Sequence, residues 1–157
     1  NSSPIQISPL LSITKDFLDL LKQRVVSDDN SDVRQEAVRQ IATGWKDRPE
    51  IFELLRQRLE SDESWEVRRE ALEQITTGWK HELERFQIFE LFQNSALNDP
   101  FEREFSFEHN PRQTALEAIV KYYPNHPQTL PLLQDRAAND SDKELREWAK
   151  KKLQRPH

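Results

Sequence analysis

Acid–base, nucleophilic and metal chemistry in proteins depends mainly on histidine, cysteine and carboxylate side chains. Cysteine is absent, which excludes thiol catalysis, disulfides and thiolate metal sites. None of the four histidines has the i, i+4 spacing of a helical metal pair, and all fall in predicted connections or at the tail: His81, His109, His126 and His157. We therefore expect no catalytic residue, no metal site and no cofactor, and the chain is not predicted to be an enzyme.

A different pair of charged residues, an aspartate six residues before an arginine, recurs along the chain. Three copies are regular and one is stretched: Asp28 and Arg34, Asp62 and Arg68, Asp140 and Arg146, and the stretched pair Asp99 and Arg112. We expect the regular arginines to hydrogen-bond aspartates of their own or the adjacent copy. Charge-assisted hydrogen bonds at partly buried sites stabilise a fold more than exposed ion pairs do.

These pairs belong to a longer repeat. The segments "PEIFELLRQRLESD" and "WEVRREALEQITTGWK" recur 34 residues earlier and 78 residues later. A third copy is interrupted, since its first half is offset by 37 residues and its second half by 44, which leaves seven extra residues inside it (44 − 37). The predicted units are 15–46, 49–80, 87–123 with an insert at 100–110, and 127–157, preceded by an N-terminal capping segment at 1–14.

Each unit has the apolar spacing of two helices joined by a polar turn. A helical hairpin cannot bury its apolar stripe alone, so it must stack on copies of itself. Before the first unit, Ile5, Ile7, Leu10, Leu11 and Ile13 are expected to cover its open face or to meet an upstream domain. In the last unit Lys150 replaces a repeated apolar residue, which predicts a polar C-terminal cap.

The two glycines of the chain lie in the pentapeptides "ATGWK" (42–46) and "TTGWK" (76–80). Gly44 and Gly78 follow the last apolar residue of a predicted second helix. We expect both to adopt the left-handed conformation that ends a helix, with Trp45 and Trp79 packed back on the last helical turn.

The pattern of Asp followed by "VR..A" and a Leu or Ile resembles the HEAT repeat in its short form. The tetratricopeptide repeat has the same length, but its Trp, Leu-Gly and Tyr pattern is absent. The resemblance implies an all-α, right-handed α-solenoid of about four helical hairpins, in which the aspartates and arginines form a hydrogen-bonded ladder between neighbouring units. The "GWK" form of the repeat is also similar to HEAT arrays that follow NACHT-type nucleotide-binding modules in bacterial, notably cyanobacterial, signalling ATPases.

These resemblances imply a non-catalytic interaction or sensing scaffold in a larger cytoplasmic signalling NTPase, and the absence of Met is expected of a fragment or a processed product. Its partner would be another protein or an upstream domain. One alternative is an accessory HEAT-like subunit of a bilin lyase-type enzyme, and another is a nucleic-acid-binding module. A net charge of −5 and mixed charges along the second helices argue against nucleic acid. No apolar run reaches membrane-spanning length.

Two aromatic features are not required by the repeat. Trp65 occupies the position of Ser31, and the insert "PFEREFSFEHN" carries Phe101, Phe105 and Phe107. Three exposed phenylalanines would be costly, so they either fold back onto units two and three, or one of them forms a contact patch with Trp65 for a protein partner or for the upstream domain. Our hypothesis is the contact patch.

Overall fold

The computed structural model describes the backbone of residues 7–154 and the side chains of residues 14–154. Within this range the chain forms eight α-helices and no strand: α1 Ile7–Ser27, α2 Ser31–Gly44, α3 Pro49–Ser61, α4 Trp65–Gly78, α5 Ile88–Asn98, α6 Pro111–Tyr122, α7 Thr129–Asn139 and α8 Lys143–Gln154. The backbone of α1 begins inside the predicted capping segment. The covering role predicted for Ile5, Ile7, Leu10, Leu11 and Ile13 concerns side chains that lie outside the described residues.

Successive helices form hairpins, which we number 1 to 4: α1–α2, α3–α4, α5–α6 and α7–α8. The chain divides into two compact units, residues 1–74 and 75–157, so that the last turn of α4 belongs to the second unit. In the first unit α1 packs on α2, and α2 adjoins α3. In the second unit α5 packs on α6 and α7 on α8, while α6 adjoins α7.

The core is built from the apolar stripe of each helix, which recurs at helical spacing. In the first unit it contains Leu18, Leu21, Val25, Val38, Ile41, Ile51, Leu55, Leu59, Val67, Ala71 and Leu72. In the second unit the buried residues include Ile75, Phe92, Leu116, Ile119, Leu133, Leu145 and Ala149. At the position that Val38 and Leu116 bury in their hairpins, Lys150 of α8 is exposed.

Local signals in the sequence determine where these helices begin and end. The Asn30 side chain accepts hydrogen bonds from the first turn of α2, and Asn110 does the same for α6. Pro49 and Pro111 occupy first helical positions, where the missing N–H has no cost. Helices α3, α5 and α7 end in the same way, each with an aspartate as its C-cap. The connections of the hairpins therefore have a common framework of capping groups.

The conformation predicted for the two glycines is wrong. Gly44 and Gly78 are the last helical residues of α2 and α4, and no glycine has a positive φ. The helix ends instead at Trp45, whose N–H donates to the Ile41 carbonyl and whose ring contacts Phe17 of α1 at 5.7 Å between centroids. Left-handed backbone does occur at Phe86 (φ 60°) and Gln87 (φ 52°), just before α5.

Gly44 therefore has no conformational reason to be glycine. A Cβ built at this position meets nothing within 4 Å. We expect Gly44→Ala to stabilise the protein by about 0.5–1 kcal/mol, because alanine lowers the entropy of the unfolded chain and favours the helix. Urea unfolding followed by circular dichroism measures this change. A lower unfolding midpoint in the variant would show that residue 44 needs a conformation that alanine cannot adopt.

Candidate functional site

Four aspartates occupy the same place in the four hairpins, directly after the first helix. Each accepts a hydrogen bond from the backbone N–H two residues later, and these turns tighten the connections between helices. The distances are 2.9 Å for Asp28 and Asn30, 2.9 Å for Asp62 and Ser64, 3.0 Å for Asp99 and Phe101, and 2.9 Å for Asp140 and Asp142.

In the first unit, Arg34 joins two of these connections. Its Nε and Nη2 atoms donate to the two carboxylate oxygens of Asp62, both at 3.0 Å, and its Nη1 donates to the Asp28 carbonyl at 2.7 Å. Arg58 of α3 adds a longer bond to Asp62 at 3.3 Å. Because the Asp62 carboxylate is buried, these bonds replace the water that it loses on folding.

In the second unit, Arg112 makes the same bidentate contact with Asp140, at 2.8 and 2.9 Å. Its Nη1 donates to the carbonyls of Asp99 and Phe101, each at 2.8 Å. Arg112 is the second residue of α6, whereas Arg34 is the fourth residue of α2. The separation between arginine and aspartate is nevertheless 28 residues in both pairs.

The other two arginines of the recurring pair donate to backbone carbonyls. Arg68 bonds the Asp62 carbonyl at 2.9 Å and the Glu63 carbonyl at 3.2 Å, and Arg146 bonds the Asp140 carbonyl at 2.6 Å. The structure thus contains hydrogen bonds from Arg34, Arg68, Arg112 and Arg146 to aspartates. We propose that they act together as a stabilising ladder.

Burial disfavours the charged forms of Arg112 and Asp140, whereas the contact between the two side chains favours these forms. Burial acts to raise the pKa of Asp140, but the hydrogen bonds from Arg112 and from the Asp142 N–H outweigh it and hold that pKa below its ordinary value. Burial likewise acts to lower the pKa of Arg112, but the bonds and charge of Asp140 raise it overall. Both groups are therefore charged at neutral pH.

The insert, residues 100–110, divides its three phenylalanines between core and surface. Phe101 is only 3% exposed, and its backbone N–H and carbonyl are hydrogen-bonded to Asp99 and Arg112. Phe105 and Phe107 are 56% and 74% exposed, and their rings stack on each other with centroids 5.5 Å apart. Phe101 is therefore not on the exposed surface of the insert, and the contact of Phe105 and Phe107 with a partner stays a proposal. Trp65 is half-buried at the start of α4 in the first unit.

Arg103 fastens the insert to hairpin 4, a contact that sequence reasoning missed. Its Nε and Nη2 donate to the Asp142 carboxylate at 3.1 and 2.9 Å, and Asn110 Nδ2 donates to the same carboxylate at 2.9 Å. Asp142 also accepts the Glu144 N–H at 3.1 Å, at the start of α8. The available signal was positional, since Asp142 takes the place of Asn30 and Ser64 in earlier repeats and Arg103 is the insert's only arginine before α6.

The insert is also held from within. The Glu108 carboxylate accepts the N–H groups of Glu104 and Phe105, each at 2.7 Å. Arg103 Nη1 donates to the Glu108 carbonyl at 2.6 Å and reaches the Phe105 carbonyl at 3.4 Å. The two exposed rings therefore stand on a loop whose conformation is fixed by its own hydrogen bonds, which lowers the entropy lost when a partner binds.

His126 stacks on Phe89 with centroids 3.6 Å apart, and its Nδ1 accepts the Gln128 N–H at 3.1 Å. His157 lies outside the described residues. Within residues 14–154 no cluster of three or more His, Asp or Glu side chains could hold a metal ion. No helix between residues 7 and 154 has both the length and the apolar character needed to cross a bilayer.

The hairpins and their charged connections agree with a comparison to known families. Residues 18–77 match the family model of HEAT repeats. The fold is an α-solenoid of helical hairpins. No curated protein and no solved structure matches the chain. HEAT repeats generally act as protein-interaction scaffolds, and HEAT repeat proteins are typically non-enzymatic.

The ladder can be tested with a matched pair of arginine variants. Arg112→Met keeps the length of the side chain but leaves the buried Asp140 carboxylate without its main partner. We expect it to cost about 3–5 kcal/mol in the free energy of unfolding. Arg56→Met removes ion pairs with Glu53 and Glu60 on the surface of α3 and should cost no more than about 1 kcal/mol. Similar urea midpoints for the two variants would contradict the ladder proposal.

The Asp142 carboxylate should make stability depend on pH. Burial acts to raise its pKa, but hydrogen bonds from Arg103 and Asn110 outweigh this effect and lower it. Its stabilising contribution is therefore complete above the unfolded pKa of about 3.9 and is lost as pH falls through the folded pKa. We expect Asp142→Asn to be less stable than the wild type by about 1–3 kcal/mol at pH 7.

The difference between the two proteins should shrink as pH falls below about 4, where the unfolded wild-type carboxyl becomes protonated, and should be lost below the folded pKa, where the folded carboxyl is neutral too. Thermal unfolding of both proteins over a pH series provides the measurement. A difference that stays constant down to the lowest pH would show that the Asp142 charge has no part in holding the insert.

Proposed function

We propose that this chain is a non-catalytic protein-interaction scaffold, and that the stacked pair Phe105–Phe107 on the insert is its contact site. The supporting observation is the exposure of two aromatic rings on a loop that is fixed by Arg103 and Glu108. Rigid, exposed aromatic side chains are favoured anchors of protein interfaces, because they bury a large area and lose little conformational entropy. HEAT repeats supply the general function, and the insert supplies the specificity.

The wider context of the scaffold is also part of this proposal. The pentapeptides "ATGWK" and "TTGWK" support a place beside a NACHT-type nucleotide-binding module in a cytoplasmic signalling NTPase. In that setting, the contact would be with another protein or with the nucleotide-binding module of the same protein. This context rests on the resemblance of the repeats alone.

The pairing of basic side chains with carboxylates argues against the nucleic-acid alternative. On the second helices of the first unit, Arg39 is paired with Glu36 and Glu70, and Arg69 with Glu73 at 2.7 Å. A nucleic-acid groove needs basic side chains that are free to replace counterions along the phosphate backbone. Cations already paired with carboxylates contribute little to such a groove. No contact in the described residues favours the bilin lyase-type alternative.

The contact site can be tested by removing both rings. Phe105→Ser/Phe107→Ser should change the free energy of unfolding by no more than about 0.5 kcal/mol, since the rings are already largely exposed. The matched control is Leu130→Ser, which removes another exposed apolar side chain of the second unit. The wild type and both variants are immobilised, and proteins that they capture from an extract of the source organism are identified. A captured protein is then purified, and its affinity for each of the three proteins is measured by calorimetry.

We expect a partner that binds the wild type and Leu130→Ser but binds the double variant about thirtyfold more weakly, as for the loss of a central aromatic anchor. A purified partner that binds all three proteins equally well would refute the insert as the contact site.

A further inference from the structure

The insert and the start of α8 enclose an open cleft in the second unit, with a volume of about 520 Å³. The insert contributes Phe101, Glu102, Glu104 and Phe105 to its lining, the connection before α8 contributes Ser141, and the first turn of α8 contributes Glu144. Arg103 of the insert and Asp142 also line the cleft, and the hydrogen bond between them ties its two sides together. The cleft is large enough to receive one long side chain together with its backbone.

The two arginines that line this cleft are already bound to carboxylates. Arg112 is bound to Asp140, and Arg103 is bound to Asp142 and approaches Glu144 at 3.3 Å. Lys143 is directed along its own helix towards Glu147, at 3.9 Å. Glu102 and Glu104 are exposed, and no ion pair joins either of them to a cation within residues 14–154. The charge that the cleft leaves unbalanced is therefore negative.

An aromatic surface lies beside this negative charge. Phe105 lines the cleft, and its stacking on Phe107 places the rings only 9° from parallel. The face of an aromatic ring attracts cations, and guanidinium groups stack on such faces more readily than ammonium groups do. Carboxylates next to the ring can accept the guanidinium N–H groups that point outward, often two at a time.

We propose that this cleft binds an arginine side chain of a basic segment in the partner protein. The guanidinium stacks against Phe105, and Glu102 and Glu104 accept its hydrogen bonds. This inference rests on the proposed function and adds to it the chemistry of the partner. The two arginines of the cleft are already bound to buried aspartates and have little capacity left for an anionic ligand, and a lysine would forgo the planar stacking.

The test uses the full chain and synthetic peptides as probes. The peptides are Gly-Ser-Leu-Arg-Leu-Ser-Gly and its analogues with Lys or Gln in place of Arg. Each is titrated into ¹⁵N-labelled protein while the amide resonances are followed. We expect the Arg peptide to shift resonances of residues 102–106 and 141–144, and to bind about tenfold more tightly than the Gln peptide. Its affinity should fall when salt is raised from about 0.05 to 0.5 M.

Matched variants show whether the carboxylates of the cleft are responsible. Glu102→Gln/Glu104→Gln should weaken binding of the Arg peptide about tenfold, as the loss of charge-assisted hydrogen bonds requires. Glu90→Gln/Glu117→Gln makes the same change in net charge at exposed residues that do not line the cleft, and should leave the affinity unchanged. An equal loss in both double variants would overturn the proposal in favour of a general charge effect.

The remaining outcomes separate this inference from the proposed function. Equal binding of the Arg and Gln peptides at the insert would overturn the arginine site, while an apolar contact at Phe105 and Phe107 would stand. If no peptide shifts the resonances of the cleft, the arginine site is refuted. The scaffold function is then judged separately, by the binding of the purified partner to Phe105→Ser/Phe107→Ser.

Discussion

The structure depends above all on a buried carboxylate at the end of the first helix of a hairpin. Such a carboxylate loses its water on folding, and it is tolerated only if hydrogen bonds replace that water almost completely. Asp62 and Asp140 meet this requirement in the same way. Each accepts hydrogen bonds from the backbone N–H two residues later and from an arginine of the helix that it caps. Each also accepts a bidentate contact from an arginine that lies 28 residues earlier. A single charged group thus fixes the turn of one hairpin and its position against the preceding one. Apolar packing alone would specify that position less sharply, because a smooth apolar stripe allows neighbouring registers.

Hairpin 3 shows how strong this constraint is. The insert moves the start of α6, so that Arg112 stands two positions earlier in its helix than Arg34 does in α2. The guanidinium still reaches its aspartate with both donors, and its remaining donors take the carbonyls of Asp99 and Phe101 that the longer connection brings near. The inserted residues were therefore accommodated around the ion pair, while the ion pair itself kept its geometry. Arg103 then adds a second contact of the same chemistry to Asp142, which joins the insert to the next hairpin.

Much of this fold was predictable from the sequence, because helical hairpins leave a periodic record in it. The apolar spacing predicts the helices, and the match of residues 18–77 to HEAT repeats agrees with the family resemblance. The recurrence of Asp and Arg was sufficient to expect hydrogen bonds between them. The backbone conformation of Gly44 was not predictable from its position, since a glycine after the last apolar residue can either end the helix in the left-handed conformation or extend the helix by one residue. The insert has no counterpart in the other repeats, so no pattern indicated that Phe101 is buried while Phe105 is exposed. Nor did any pattern pair Arg103 with Asp142, which are 39 residues apart.

Different residues of the insert fix the conformation of the loop and present the exposed aromatic surface, two tasks that would conflict if the same residues performed them. Phe101, Arg103 and Asn110 face the fold, and their contacts make the loop rigid. Phe105 and Phe107 point to solvent and contribute little to stability, so evolution could change them without disturbing the repeat. An exposed apolar pair is a liability for a protein that has no partner, because it promotes non-specific association. The carboxylates of Glu102 and Glu104 moderate that liability, since they repel other copies of the same acidic surface and favour a partner of opposite charge. A rigid loop with apolar rings and unbalanced negative charge is thus suited to selective binding.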